Sequence, residues 1–92
     1  MSTDGYTTSE HALHELRLPL DRIAKANGDE FGMTVEIAKG RHGQTVFELR
    51  AFEIVENHCF AALNAETITE AANAMRADLP ASCAAWDYKF VE

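Results

Sequence analysis

Glu10-His11-Ala12-Leu13-His14-Glu15 is the most suggestive chemical cluster in the sequence. On a helix, His11 and His14 lie three apart on one face, close enough to share a metal ion with Glu10 or Glu15 beside them. The spacing is not H-E-x-x-H, where the histidines are four apart and flank a glutamate base. A zinc centre also needs a third and a fourth ligand, and His42, His58 and Cys59 are the plausible additions. Paired histidines on a solvated first turn commonly bind nothing. A second candidate is His58-Cys59, which could form a thiolate–imidazolium pair. Neighbours on a strand point to opposite faces, however, and the ordinary reading is a buried Cys59 beside an exposed His58. Gly40-Arg41-His42-Gly43 lacks the G-x-x-x-x-G-K-S/T pattern of a phosphate-binding loop. Its glycines serve a turn, with Arg41 and His42 as exposed contacts at the tip. No catalytic set, cofactor loop or complete metal site follows, so binding is expected rather than catalysis, with no cofactor and no metal.

The acidic residues carry a different chemistry. Fifteen Asp and Glu against eight Lys and Arg leave a net charge of −7. Such a surface repels free DNA or RNA, whose binding draws on Lys and Arg contacts to phosphate. It suits a basic partner, and many basic proteins are themselves nucleic-acid binders. The plainer alternative is that the charge only maintains solubility. Asp29-Glu30 forms an acidic corner, Glu66 and Glu70 lie one helical turn apart, and Asp78 closes the same helix. These carboxylates could meet arginine or lysine heads. The residues expected at a partner contact are therefore Asp29, Glu30, Arg41, His42, Glu66 and Glu70.

The elements that must hold these groups follow from periodicity. Ninety-two residues make one domain, spanning 1–92, with 1–6 frayed. Thr7-Thr8-Ser9-Glu10 has the form of a capping box and starts a helix whose stripe is Leu13, Leu16, Leu20 and Ile23. Pro19 kinks it or breaks it in two, and Asn27-Gly28 stops it. Phe31, Met33, Val35 and Ile37 then alternate with polar or small residues as a strand with one buried face. A hairpin at 40–43 leads to a second strand with Phe47, Leu49 and Ala51 on one face. There the parity changes to Phe52 and Ile54, which implies a bulge or sharp bend near Ala51-Phe52. Residues 58–63 form a weaker third strand. Asn64 or Thr67 caps a second helix carrying Ile68, Ala71, Ala72, Met75 and Leu79, and Pro80 ends it. Ala84, Trp86, Tyr88 and Phe90 alternate as a last strand whose aromatic face seals the core. The order is α-β-β-β-α-β: an α+β domain with two helices packed on an antiparallel sheet of three to four strands.

That order is similar to double-stranded-RNA-binding domains, but those need a lysine cluster where this chain has Asn64-Ala65-Glu66-Thr67-Ile68-Thr69-Glu70. A stacking platform of Trp86, Tyr88 and Phe90 would likewise need basic surroundings, and only Lys89 is near. The N-terminus MSTDGYTTSEH has no secretory pattern and no apolar run approaches a bilayer span, so a cytoplasmic protein without a membrane partner is expected. Cys59 and Cys83, without a CxxC spacing, read as reduced, partly buried thiols.

Over its full length, from MSTDGYTTSEHALHELRLPLDRIAKANGDEFGMTVEIAKG to AAWDYKFVE, the chain resembles the small phage-encoded anti-CRISPR proteins, specifically an inhibitor of the type I-F surveillance complex. That functional class has many unrelated folds, so the resemblance transfers no functional residue. It implies a protein made by a phage in the cytoplasm of its bacterial host. Its partner would be the multisubunit crRNA-guided Cas complex, and its effect to prevent target DNA from being bound or cut. The basic groove of such complexes suits an acidic ligand. Two alternatives stay open: an immunity protein or antitoxin neutralising a nuclease, and a small metal-binding protein or enzyme using His11 and His14.

Overall fold

A computed structural model describes residues 4–91, with side chains from Ser9 onward. Five elements follow in the order α1 (Asp4–Asn27), β1 (Phe31–Lys39), β2 (Thr45–Glu53), β3 (His58–Ala65) and α2 (Ile68–Trp86). The strands form one antiparallel sheet of order β1-β2-β3. The domain is therefore α+β, with three strands.

Helix α1 buries Ala12, Leu16, Leu20, Ile23 and Ala24, while Leu13 packs at the margin of that stripe. Its first turn lies upstream of the expected start. Helix α1 begins at Asp4, and residues 1–3 lie outside the described residues. Ser9, from the expected capping box, places its hydroxyl 3.3 Å from that of Thr69 on α2. Pro19 neither breaks α1 nor ends it. A proline removes the donor that would reach the carbonyl four residues back, here that of Glu15. Flanking burial of Leu16, Leu20 and Ile23 outweighs that loss.

Pro80 is likewise internal to α2, contrary to its expected role as a terminator. Leu79, Ser82 and Cys83 are buried around it, so the helix gains more by continuing across the core than by stopping. Residues 84–86 are thus the last turn of α2, and no strand follows among the described residues. Thr67 is the N-cap. Its hydroxyl accepts from the Glu70 N–H at 3.1 Å and donates to the Glu70 carboxylate at 3.0 Å. Both helices end on the same backbone motif. Asp29 N–H reaches the Ala24 carbonyl at 2.8 Å past Gly28, and Tyr88 N–H reaches the Cys83 carbonyl at 2.8 Å past Asp87. Gly28 has φ +71 and Asp87 φ +60, the left-handed conformation this ending requires.

The β1–β2 register is uninterrupted from Phe31↔Glu53 to Lys39↔Thr45. The expected irregularity lies beside Ala51-Phe52, but its extra residue is Phe60 on β3: Ala51 pairs with Ala61 and Phe52 with Cys59. Phe60 and Ala61 consequently both pack toward the core. Phe52 changes no parity on β2. It belongs to the outer face, where its ring covers Gly32 so closely that an added Cβ would lie 2.7 Å from it. The helices cover only the first half of β1. Phe31 is buried, whereas Ile37 is 75% exposed.

Candidate functional site

The structure does not gather the six expected contact residues in one place. Register separates them to opposite ends of the sheet. Lys39 pairs with Thr45 and Phe47 with Ala65, so Arg41, His42 and Glu66 belong to the hairpin end. Arg41 and His42 are exposed, and the His42 N–H donates to the Gln44 side chain at 3.0 Å. Glu66 precedes the cap residue and so does not share a helical turn with Glu70, whose carboxylate is engaged by Thr67. Asp78 is mid-helix and exposed. Asp29 and Glu30 lie at the other end, beside the β2–β3 turn.

That second end holds a cavity of about 280 Å³ lined by Asp29, Glu53, Val55, Glu56, His58 and Tyr88. Its walls follow from local structure. Glu53 is the last residue of β2 and falls on the core face, where it is only 2% exposed. A buried carboxylate must be hydrogen-bonded. Its two oxygens accept the Glu56 N–H at 2.7 Å and the Val55 N–H at 2.8 Å, shaping the 54–57 turn. The Glu56 N–H chiefly holds the Glu53 carboxyl below its ordinary value; burial opposes this, and the Val55 N–H and nearby His58 add to it. Asn57 completes the turn with φ +56. His58 is the cross-strand partner of Glu53, which puts both on the same face. Its ring lies 4.9 Å from that of Trp86.

Tyr88 forms the floor. Its ring stacks on Phe31 at 5.9 Å and on Phe60 at 5.5 Å, and those two rings stack at 4.9 Å. Burial, then the neighbouring Asp29 carboxylate, pushes the Tyr88 phenol up to about 12. The tail carrying Tyr88 is clamped by Asn27, whose carboxamide accepts from the Lys89 N–H and donates to the Lys89 carbonyl, both at 3.0 Å. Of the three aromatics expected to seal the core, Tyr88 does so, while Trp86 is 47% exposed and Phe90 also reaches solvent.

Glu53, Glu56 and His58 each offer a ligand atom, and these lie within 4.8 Å of one another. Among the described residues, His11 and His14 are not part of such a group. Both are exposed, and His11 Nε2 sits 3.5 Å from Glu15 Oε1. The expected burial of His58 and Cys59 is reversed: Cys59 is exposed and His58 half-buried, because β3 turns His58 to the helix side. Cys83 is buried, which pushes its thiol up. Sequence reasoning found Asp29 but missed Glu53, Glu56 and His58 as a set; the signal was the E-x-x-E-x-H spacing across a turn.

A larger groove, of about 380 Å³, runs between the helices where Pro19 and Pro80 meet Arg22, Arg76, Leu18 and Phe90. No helix among the described residues is long and apolar enough to cross a membrane. The chain matches no family model, no curated protein and no solved structure.

Proposed function

We propose that this chain is an acidic binding protein that blocks a nucleic-acid-handling complex by occupying surfaces meant for DNA. The observation that carries the reading is where the charge lies. Among acidic residues whose side chains are described, only Glu53 is buried. Twelve of the thirteen acidic residues with described side chains reach solvent, so the negative surplus is displayed rather than consumed in internal ion pairs. Among the described residues, two ion pairs join acids to arginines, Arg17–Asp21 and Arg50–Glu48, and both are intra-element surface pairs. A basic groove shaped for phosphate would find complementary charge at the end of the sheet that carries Asp29, Glu30 and Glu56, whereas the hairpin end sets Lys39 and Arg41 near Glu66.

The resemblance to phage anti-CRISPR proteins supports a specific partner, the crRNA-guided type I-F Cas complex, with inhibition at the DNA-binding step. The experiment is to mix the purified protein with that complex and measure co-elution and target-duplex binding. Stable association with loss of duplex binding supports the proposal. No association with the complex overturns that assignment. Capture of a single nuclease from host lysate would favour an immunity protein instead.

A further inference from the structure

The geometry points to a divalent metal site, of the zinc type, formed by Glu53, Glu56 and His58 at the β2–β3 turn. Three donors from one strand end, one turn and the next strand start converge with ligand atoms within 4.8 Å of one another. Imidazole with carboxylate is a donor set suited to first-row divalent ions such as zinc. Glu53 is prepared for the role. Each of its oxygens accepts one backbone N–H and keeps a second lone pair free. Those donors also fix its rotamer, as outer partners do for metal ligands.

His58 supplies the second, independent observation. Its Nε2 is buried and, among the described residues, has no hydrogen-bond partner. A buried imidazole nitrogen without a partner loses hydration that nothing replaces. No ion pair or hydrogen bond joins the ring to either glutamate among the described residues, although their ligand atoms are neighbours. A cation held among the three would neutralise two adjacent carboxylates, and one bound through Nε2 would give that nitrogen its missing partner. The cavity gives entry from solvent, leaves room for a fourth ligand such as water, and places Asp29 on its wall. This inference is independent of the proposed partner.

The test is calorimetric titration of chelator-treated protein with Zn²⁺ alone, and with Co²⁺ while following the fluorescence of Trp86, the sole tryptophan. Binding of one ion per chain is expected, with quenching by Co²⁺ because the indole ring lies 4.9 Å from that of His58. Glu56→Gln, an exposed change that spares the fold, and His58→Ala should each weaken binding at least about tenfold. The His11→Ala/His14→Ala double variant should bind like the parent. The site is overturned if no saturable binding appears. It is equally overturned if binding survives Glu56→Gln in a folded variant, or if it vanishes with His11 and His14.

Discussion

The indole Nε1 of Trp86 donates to the Phe60 carbonyl at 3.0 Å, joining the last turn of α2 to the bulged residue of β3. A bulge leaves backbone groups without a ladder partner, and here a side chain supplies one. Trp86→Phe keeps an aromatic ring beside His58 but removes the donor. It should destabilise the fold by about 1 kcal/mol, the net value of one such hydrogen bond. A urea titration should show a lower midpoint with an unchanged slope. An unchanged midpoint would mean that water replaces the indole without loss.

Asp87 holds the left-handed position that ends α2, at φ +60, and puts a negative charge at the carbonyl end of the helix. Both features are unfavourable for an aspartate. Asp87→Gly should therefore stabilise by about 0.5–1 kcal/mol after its greater unfolded-state entropy is subtracted. Asp87→Val should do the opposite, because β-branched residues resist positive φ. Thermal melts of the two variants should shift in opposite directions.

These two residues also show where sequence reading stops. Gly28 advertises the end of α1, and Thr67 with Glu70 advertises the start of α2; both are local signals, and both hold in the structure. The end of α2 is instead set by burial of Ser82 and Cys83 beyond Pro80, which depends on tertiary packing. The alternation of Trp86, Tyr88 and Phe90 mimics a strand, although these residues straddle a helix end and an irregular tail. The sequence after Ala51 reads as a parity break in β2, but pairing shows that β2 keeps its alternation and that the extra residue belongs to β3. The cavity was hidden for the same reason: Glu53 and His58 become partners through register across a turn.

Acid should weaken the fold through Glu53. Its folded pKa is held below the ordinary 4.5, first by the Glu56 N–H. A depressed carboxylate contributes stability that is present above its unfolded value and lost as pH falls through the folded one. Melting temperature should therefore fall on acidification below about pH 4.5. Glu53→Gln, less stable at neutrality because an amide replaces one acceptor oxygen, should show a shallower acid slope. Parallel slopes for parent and variant would assign the acid sensitivity to other carboxylates.

If the protein acts by occupying a basic surface, its association must respond to salt and to exposed acids at the end of the sheet that docks. The structure determines which acids make a clean test. Asp29 lines the cavity wall beside Tyr88 and Glu70 is bonded to Thr67, so reversing either perturbs local packing as well as the charge. Glu30 and Glu66 are exposed and lie at opposite ends, which makes Glu30→Lys and Glu66→Lys separate probes of the two ends. Rim charges act mainly on association rate, whereas truncating one member of a desolvated pair costs roughly 2–5 kcal/mol. One variant should slow association with the Cas complex while the other binds nearly like the parent. The rate should also fall with added salt, since exposed charges are screened over about 8–10 Å near physiological ionic strength. Stopped-flow or surface-based kinetics would read both effects. A rate indifferent to salt, with both variants binding like the parent, would leave the seven-charge surplus as a solubility feature and make the contact apolar.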